Sequence, residues 1–243
     1  MDTQYDYIAN TYHSNKSRIF YKIVDHSLKK MLGNLSNLNV LDLACGEGHI
    51  TRQLKSYGAK NVIGVDISKE MIKLAEKQEK AKPLGIKYIC SSVQELGRLD
   101  TFDIITGVYL LHYARKKEEL KKICTTISEN LKLGGCFIGV NTNGIKSRLY
   151  DKLTNYDFEY VLPKNIRTGQ MFKTVIRYCQ KPIELQMYYY SQKTYNSILR
   201  ESGFRKVDWI DFDIPPELDD NKEVSHWKRF IKLSAEGLLH CRK

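Results

Sequence analysis

Residues 40–48 decide the fold, and they read Val-Leu-Asp-Leu-Ala-Cys-Gly-Glu-Gly. They begin as a short apolar strand that carries Asp42, and Gly46 and Gly48 then make a Gly-x-Gly turn before a helix. A second apolar strand ends in another acid, Asp66. Such turns let a ligand approach the backbone at the carboxyl edge of a parallel sheet. We therefore predict a nucleotide-like ligand at this edge, with Asp66 accepting hydrogen bonds from a ribose diol.

Short apolar runs alternate with helical patterns along the first 141 residues. The five runs are residues 40–44, 61–66, 86–90, 102–106 and 136–140. Alternation of this kind builds βαβ units, in which parallel strands form a sheet that helices cover on both faces. The sequence therefore predicts an α/β fold of the Rossmann-like type.

The alternation breaks at residues 142–190. This stretch reads as two strands, 171–178 and 183–190, and it is too short and too weakly apolar to hold its own core. A chain of 243 residues fits one large α/β domain. We expect a single domain over residues 1–243, with 142–190 as an inserted cap over the substrate. The aromatic side chains that would line this cap are Phe172, Tyr178, Tyr188, Tyr189 and Tyr190.

Composition excludes several classes of protein. Hydrophobic residues make up 42% and charged residues 28% of the chain, as in globular proteins. No apolar run is long enough to cross a membrane, and the N-terminus lacks the pattern of a signal peptide, so we expect a cytoplasmic protein. The six cysteines form no CxxC pair, so we expect no metal site.

A net charge of +11 is compatible with an anionic partner. The basic residues are scattered, however, as at residues 116–122, where lysines flank two glutamates. No stripe of base-stacking aromatic residues accompanies the charge. We therefore interpret it as solvated surface and do not expect a nucleic-acid substrate.

The Gly-x-Gly turn fits a cationic ligand better than a phosphate. A dinucleotide site needs a third glycine where Thr51 stands, and Glu47 and Asp42 would repel a pyrophosphate. The P-loop pattern of Gly-x4-Gly-Lys followed by Ser or Thr does not occur. S-adenosylmethionine (SAM) has an ammonium group, a sulfonium centre and a ribose diol but no phosphate, so we predict SAM as the cofactor.

The chain resembles the class I SAM-dependent methyltransferases. The segments similar to their motif I, second-strand motif, fourth strand and turn before the fifth strand are residues 40–48, 65–71, 102–105 and 131–135. Residues 4–9 and 109–114 are similar to toxoflavin-synthase-like small-molecule methyltransferases within that superfamily. The resemblance implies a Rossmann-like parallel sheet with an antiparallel last strand.

The resemblance also implies roles for the residues of motif I. Asp42 would help hold the amino group of SAM, directly or through water. The backbones of Ala44, Gly46 and Gly48 would line the methionine part, and Asp66 would hold the ribose hydroxyls. Ala44 departs from the glycine that is frequent there, and alanine is tolerated at that position if its φ is negative.

Further positions would surround the adenine and the ammonium group. Ile67 and Met71 would pack on the adenine, although Met71 by itself is also an ordinary core residue. Ser92 and Val93 occupy a place where the family often has an Asp, and Ser brings no charge there. Val108 would offer its backbone to the ammonium group.

The resemblance implies an N-terminal helical lid at residues 1–35. In many relatives a tyrosine of this region closes over the methionine end of the cofactor. Tyr12 or Tyr5 is the candidate in this chain.

His112 and Tyr113 follow the fourth strand and are the candidate catalytic bases. The alternative for His112 is a structural residue that is hydrogen-bonded to the backbone. Methyl transfer is an in-line displacement, so placing the two reactants is the main source of acceleration. We predict a small-molecule acceptor that is methylated on N or O of a heterocyclic or aromatic ring. The alternatives are an RNA or protein methyltransferase, or a non-catalytic SAM-binding module.

Overall fold

The computed structural model of the protein describes most of the chain. The described residues are 3–7, 19–142, 158–177, 182–218, 222–232 and 236–243. Within these ranges, no helix has both the length and the apolar character needed to cross a lipid bilayer.

Ten strands and six α-helices make up the described part of the chain. The strands are Asn39–Leu43 (β1), Asn61–Asp66 (β2), Lys87–Cys90 (β3), Phe102–Val108 (β4), Leu131–Thr142 (β5), Phe158–Val161 (β6), Met171–Ile176 (β7), Ile183–Tyr188 (β8), Lys206–Ile210 (β9) and Glu236–Arg242 (β10). The helices are Ile19–Leu32 (α1), His49–Ser56 (α2), Lys69–Ala81 (α3), Lys117–Asn130 (α4), Gln192–Glu201 (α5) and Lys222–Lys232 (α6).

Seven strands form the main sheet, in the order β3-β2-β1-β4-β5-β10-β9. Strands β1 to β5 run parallel to one another, whereas β10 is antiparallel to both β5 and β9. The predicted Rossmann-like sheet with an antiparallel last strand is therefore confirmed. The strand order reverses between β1 and β4, and ligands of open α/β sheets bind at such a switch point.

The central strands of the main sheet are buried on both faces, as their apolar residues predict, whereas the edge strands β3 and β9 are partly exposed. Successive residues of a strand point to opposite faces. Val40 packs in the apolar cluster that contains residues of α1, whereas Leu41 and Leu43 pack in the cluster that contains residues of α4. All three side chains are fully buried. This two-sided burial fixes the register of β1 and therefore the position of the turn that follows it.

Helix α3 shows how local sequence sets an element boundary. The hydroxyl of Ser68 caps its N-terminus by accepting the backbone N–H of Met71 at 3.2 Å. Met71, Ile72 and Ala75 form its buried face. The helix therefore begins directly after Asp66, which places its N-terminus at the carboxyl edge of the sheet.

Strands β6, β7 and β8 form a separate antiparallel sheet in that order. This sheet lies within the predicted insertion, and β7 and β8 match the two predicted strands, although they end earlier, at Ile176 and Tyr188. Strand β6 was not predicted, because its four residues lie in a stretch that reads as mixed and polar. Phe158 of β6 packs on Phe20 of α1, with ring centroids 5.1 Å apart, so the second sheet shares its apolar core with α1.

Candidate active site

The turn after β1 is open at Gly46. This residue has a φ of 54°, and a Cβ added to it would meet no atom within 4 Å. Its backbone N–H donates to the carboxylate of Asp66 at 2.8 Å. The turn and the end of β2 are thus joined, and the space above Gly46 is free to receive a ligand.

Gly48 packs closely against a side chain of β3. A Cβ at this position would collide with the hydroxyl of Tyr88, which reaches over from β3. The ring of Tyr88 also covers Gly64 of β2. Gly48 is therefore needed for packing against Tyr88, with a φ of 88° that favours glycine. The space beside Gly48 is already filled by the protein.

The backbone conformation of Ala44 differs from the one expected. Its φ is 55°, whereas alanine was expected to be tolerated because of a negative φ. The left-handed region costs an L-residue roughly 1–2 kcal/mol relative to the usual conformations. Strained residues of this kind persist where the surroundings hold them, and they cluster at functional sites.

Asp66 lies at the predicted edge of the sheet, and its side chain is buried. One carboxylate oxygen accepts the N–H of Gly46, and the other accepts the N–H of Ser68, both at 2.8 Å. Burial raises the pKa of Asp66, and these backbone hydrogen bonds oppose that rise. Each oxygen keeps a further lone pair that can accept a ligand hydroxyl.

Asp42 is hydrogen-bonded within the protein. Its carboxylate accepts the hydroxyl of Thr51 at 2.6 Å and that of Thr106 at 2.7 Å, and only 1% of the residue is exposed. Burial raises its pKa to about 6, against the effect of the two hydroxyls. Thr51, which stands where a dinucleotide site has glycine, therefore anchors Asp42 beneath the turn.

The residues predicted to surround the adenine divide into exposed and buried ones. Ile67 is 50% exposed, which is unusual for its type and leaves an apolar surface at the edge. Met71 and Val93 are buried instead. The hydroxyl of Ser92 donates to the carboxylate of Glu95 at 2.9 Å. Of these four positions, Ile67 offers the most exposed apolar side chain to a ring.

The N-terminal segment bridges the two sheets. The carboxylate of Asp6 accepts the hydroxyl of Ser68 at 2.6 Å, next to Asp66. On the other side, the amide of Gln4 pairs with the backbone of Gln186 in β8. The hydroxyls of Tyr5 and Tyr113 are hydrogen-bonded to each other. Residues 3–7 thus link β8 to the sheet edge beside Asp66, while the predicted Tyr12 lies outside the described residues.

An aromatic cavity of about 50 Å³ lies between the end of β4 and the second sheet. The lining side chains that bear on its chemistry are Tyr5, Tyr21, Tyr109, Tyr113, Phe158 and Glu236. Phe172 and Tyr188–Tyr190, which were expected to line the cap, are not among its lining residues, and Tyr178 lies outside the described residues. Tyr190 instead donates its hydroxyl to the carbonyl of Ala114 at 3.0 Å.

The structure places Tyr113 at this cavity and His112 behind it. His112 is fully buried, and neither ring nitrogen has a hydrogen-bond partner. Burial lowers its pKa to about 3, an effect that the facing amide of Asn141 opposes, although no hydrogen bond of standard geometry joins the two. A group with this pKa is a poor base near neutral pH, which counts against the predicted role of His112 as a base.

Val108, Tyr109 and Glu236 lie where β4, β5 and β10 meet. Val108 ends β4 and is half-buried. Tyr109 has a φ of 59°, and its hydroxyl donates to the Glu236 carboxylate at 2.6 Å. Neither Tyr109 nor Glu236 was predicted to be a site residue. Glu236 had one signal in the sequence, an acid directly before the last apolar strand, but the sequence does not show that this strand returns beside β5.

Comparison with known proteins agrees with this geometry. The profile of the methyltransferase domain family matches residues 40–135. The ubiquinone biosynthesis O-methyltransferase of Coxiella burnetii is 33% identical over 143 residues, which cover 57% of this chain and 58% of that protein. The demethylmenaquinone methyltransferase of Lactococcus lactis is 28% identical over 185 residues, which cover 74% of this chain and 71% of that protein.

A SAM-dependent methyltransferase structure from Clostridium acetobutylicum superposes with a TM-score of 0.68 at 21% identity, over 99% of both chains. The match to the Coxiella protein spans less than two thirds of that protein's length. Residues 40–135 therefore match the methyltransferase domain family, and the chain has the fold of a SAM-dependent methyltransferase structure.

Proposed function

We propose that this protein transfers the methyl group of SAM to a nitrogen or oxygen atom of a small heterocyclic or aromatic molecule. The observation that carries the proposal is the adjacency of two features at the switch point. One is the open turn at Gly46 beside Asp66, and the other is the aromatic cavity that Tyr109 and Tyr113 line.

The residues of the edge fit the parts of SAM. The space above Gly46 would take the methionine part, because a side chain there would fill it. Asp66 would accept the ribose hydroxyls, and the exposed Ile67 would cover the adenine. His112 and Asn141 are buried, and their side-chain polar atoms have no hydrogen-bond partners. Buried polar groups of this kind require an explanation, and an acceptor that enters beside Tyr113 would supply the missing partners.

The protein would contribute binding, orientation and exclusion of water. SAM, when bound, supplies an activated methyl group to a nucleophile placed in line with it. Tyr5 and Tyr113, which are hydrogen-bonded across the cavity, would close the site from solvent. The flat aromatic walls would hold a ring with its nucleophilic atom toward the cofactor.

The names of the relatives support a small acceptor. The Coxiella protein is named for O-methylation in ubiquinone biosynthesis and the Lactococcus protein for methylation of demethylmenaquinone, and quinones are ring compounds. A cavity of about 50 Å³ fits part of a ring better than a polymer. An acceptor that enters between Tyr5 and Tyr113 would displace the contact between their hydroxyls.

Calorimetric titration with SAM tests the cofactor, and a screen tests the acceptor. We expect micromolar binding to the wild type, loss of binding in Asp66→Ala, and unchanged binding in Asp211→Ala, which changes an exposed carboxylate after β9. The screen offers phenols and heterocyclic amines and detects by mass the replacement of hydrogen by methyl. Binding of SAM without any methylated product would favour a non-catalytic module, and absence of SAM binding would refute the proposal.

A further inference from the structure

Glu236 is a buried carboxylate in the wall of the aromatic cavity. Only 6% of the residue is exposed, and its side chain lies at the start of β10, where it is paired with Thr142 of β5. Its two oxygens accept the hydroxyls of Tyr109 and Tyr160. Each oxygen keeps a second lone pair, so the carboxylate can still accept a hydrogen bond from a molecule in the cavity.

The groups that the structure describes around Glu236 are tyrosines rather than cations. The titratable groups that face it or share the cavity are the tyrosines 5, 21, 109, 113 and 160, which come from the N-terminal segment, α1, the end of β4, the turn after it, and β6. No Lys, Arg or His is among the cavity-lining residues in the part of the chain that the structure describes. A buried carboxylate without a cationic partner holds a proton more readily than one in water. Accordingly, burial raises the pKa of Glu236 to about 7, against the effect of the two tyrosine hydroxyls.

Tyr109, which donates a hydrogen bond to Glu236, is held in a strained backbone conformation. Its φ of 59° is rare for a bulky residue. A backbone hydrogen bond of 2.8 Å to the carbonyl of Val140 ties it to β5. Because strain of this kind clusters at functional sites, the contact of Tyr109 with Glu236 is more than incidental packing.

Building on the proposed function, we propose that Glu236 is the catalytic base that receives the proton of the acceptor's O–H or N–H group. In this step the acceptor atom forms a bond to the methyl carbon, and the bond between that carbon and sulfur breaks. The electron pair of the broken bond stays on sulfur, which becomes neutral. The proton leaves the acceptor for the carboxylate of Glu236 and passes from there to solvent.

The proposal selects a class of acceptor. A base is useful only where the nucleophile carries a proton near neutral pH, as in a phenol or a ring N–H. An acceptor that is already an anion would be repelled by the carboxylate, because the described lining residues include no cation to offset the repulsion. The cavity therefore fits a neutral, protonated ring rather than a phenolate or a carboxylate.

A purely structural role is the competing explanation. Tyr160 belongs to the second sheet and Glu236 itself to the main sheet, so their hydrogen bond also joins the two sheets. Glu236→Gln separates the roles, because the amide oxygen can still accept a hydrogen bond but cannot take up a proton. Tyr160→Phe is the matched control, since it weakens the link between the sheets and leaves the carboxylate in place.

Two measurements on the full-length protein test the proposal without relying on turnover. Infrared difference spectra should show the band of a protonated carboxyl group, and this band should disappear with a midpoint near pH 7 as the pH is raised. We expect the band in the wild type and in Tyr160→Phe but not in Glu236→Gln. Binding of para-cresol, a phenol that stays protonated near neutral pH, and of its methyl ether is then compared above pH 7 in the presence of S-adenosylhomocysteine. We expect the wild type to prefer the phenol by about tenfold through a charge-assisted hydrogen bond, and Glu236→Gln to lose this preference.

Failure of this proposal is distinguishable from failure of the proposed function. Glu236→Gln should bind SAM as tightly as the wild type, because Glu236 lies in the acceptor cavity. Equal binding of the two probes by the wild type, or a preference that persists in Glu236→Gln, would overturn the role of Glu236 while SAM binding stands. Absence of SAM binding in the wild type would overturn both proposals.

Discussion

The carboxylate of Asp66 accepts the backbone N–H of Gly46 at 2.8 Å, so the end of β2 is joined to the turn after β1 within the protein itself. A site that is shaped before its ligand arrives binds with less loss of conformational freedom. The same contact means that changes at Asp66 act on the turn as well as on the ribose. Gly46 is therefore the cleaner position at which to test the site.

Gly46→Val should abolish SAM binding in a protein that still folds. The new side chain would occupy the open space above the turn, and the φ of 54° would cost about 1–2 kcal/mol of stability. Gly33→Val is the matched control, because Gly33 has a φ of 63° with equally open surroundings and lies after α1. Calorimetry gives the affinity and thermal unfolding gives the stability. Equal loss of binding in both variants would mean that strain, not the site, is responsible.

Ala44→Gly should stabilise the protein by up to about 1 kcal/mol. Glycine relieves the strain of the left-handed conformation, and its greater freedom in the unfolded chain offsets part of the gain. Urea denaturation measures the difference. A loss of stability would show that the methyl group of Ala44 packs more favourably than its backbone conformation suggests.

Asp42→Asn should remove a pH dependence of stability. Burial raises the pKa of Asp42 to about 6, so the folded state holds this proton more tightly than the unfolded state does. Stability from this group is therefore present below about pH 4 and is lost as the pH rises through about 6, by on the order of 2–3 kcal/mol. Urea denaturation at both ends of this window should show a smaller decline in Asp42→Asn than in the wild type or in Asp211→Asn. A decline of stability in Asp42→Asn as large as that of the wild type would contradict the raised pKa of Asp42.

The sheet was predictable from the sequence because its strands are locally encoded. Each parallel strand is a short apolar run that ends at a turn residue. A strand that is buried on both faces is apolar at successive positions, so it is recognised as a continuous apolar run rather than by alternating apolar and polar residues. Strand β6 escaped prediction because four residues between polar stretches give too short a signal. The approach of β10 to β5 is a contact between residues 236 and 142, which no local pattern encodes.

The candidate site was predictable only where the backbone determines it. Gly46 and Asp66 were identified from a turn and a strand end, and both lie at the edge. The role of Gly48 depends on the side chain of Tyr88, which comes from a strand that follows much later in the chain. The position of Glu236 likewise depends on tertiary structure. Long-range side-chain contacts thus set the part of the site that the sequence did not reveal.

Asp6→Ala should weaken SAM binding by about fivefold, because a hydrogen bond contributes about 1 kcal/mol net. The change removes the contact of Asp6 with Ser68 and frees the segment that carries Tyr5. Lys73→Ala, which breaks an exposed ion pair with Glu70 on α3, serves as the control. Calorimetry should show the weaker binding in Asp6→Ala alone, together with faster proteolysis near the N-terminus. Full affinity in Asp6→Ala would show that the segment does not close over the cofactor.

The pH dependence of the hydrogen bond of Asp6 gives a second test of the N-terminal segment. Burial raises the pKa of Asp6, but the hydrogen bonds from Ser68 and from the backbone outweigh it and lower the pKa to about 2. The charged carboxylate of Asp6 is therefore the form that is hydrogen-bonded to Ser68. Its contribution to holding the N-terminal segment is present above about pH 4 and is lost as the pH falls toward 2. Protease sensitivity of the N-terminus should rise over that range in the wild type, whereas in Asp6→Ala it should be high throughout.

His112→Leu should lower turnover while leaving both SAM affinity and stability intact. The imidazole is buried without hydrogen-bond partners, so an apolar side chain of similar size removes two unsatisfied nitrogens at little or no cost. Turnover should fall if the ring nitrogens meet the acceptor when it enters beside Tyr113.

The pH profile of turnover separates this role of His112 from that of a base. With a pKa near 3, His112 does not titrate around neutrality, so the acid limb of the profile should persist in His112→Leu and disappear in Glu236→Gln. Loss of that limb in His112→Leu would return the role of base to the histidine, and unchanged turnover would leave His112 a purely structural residue.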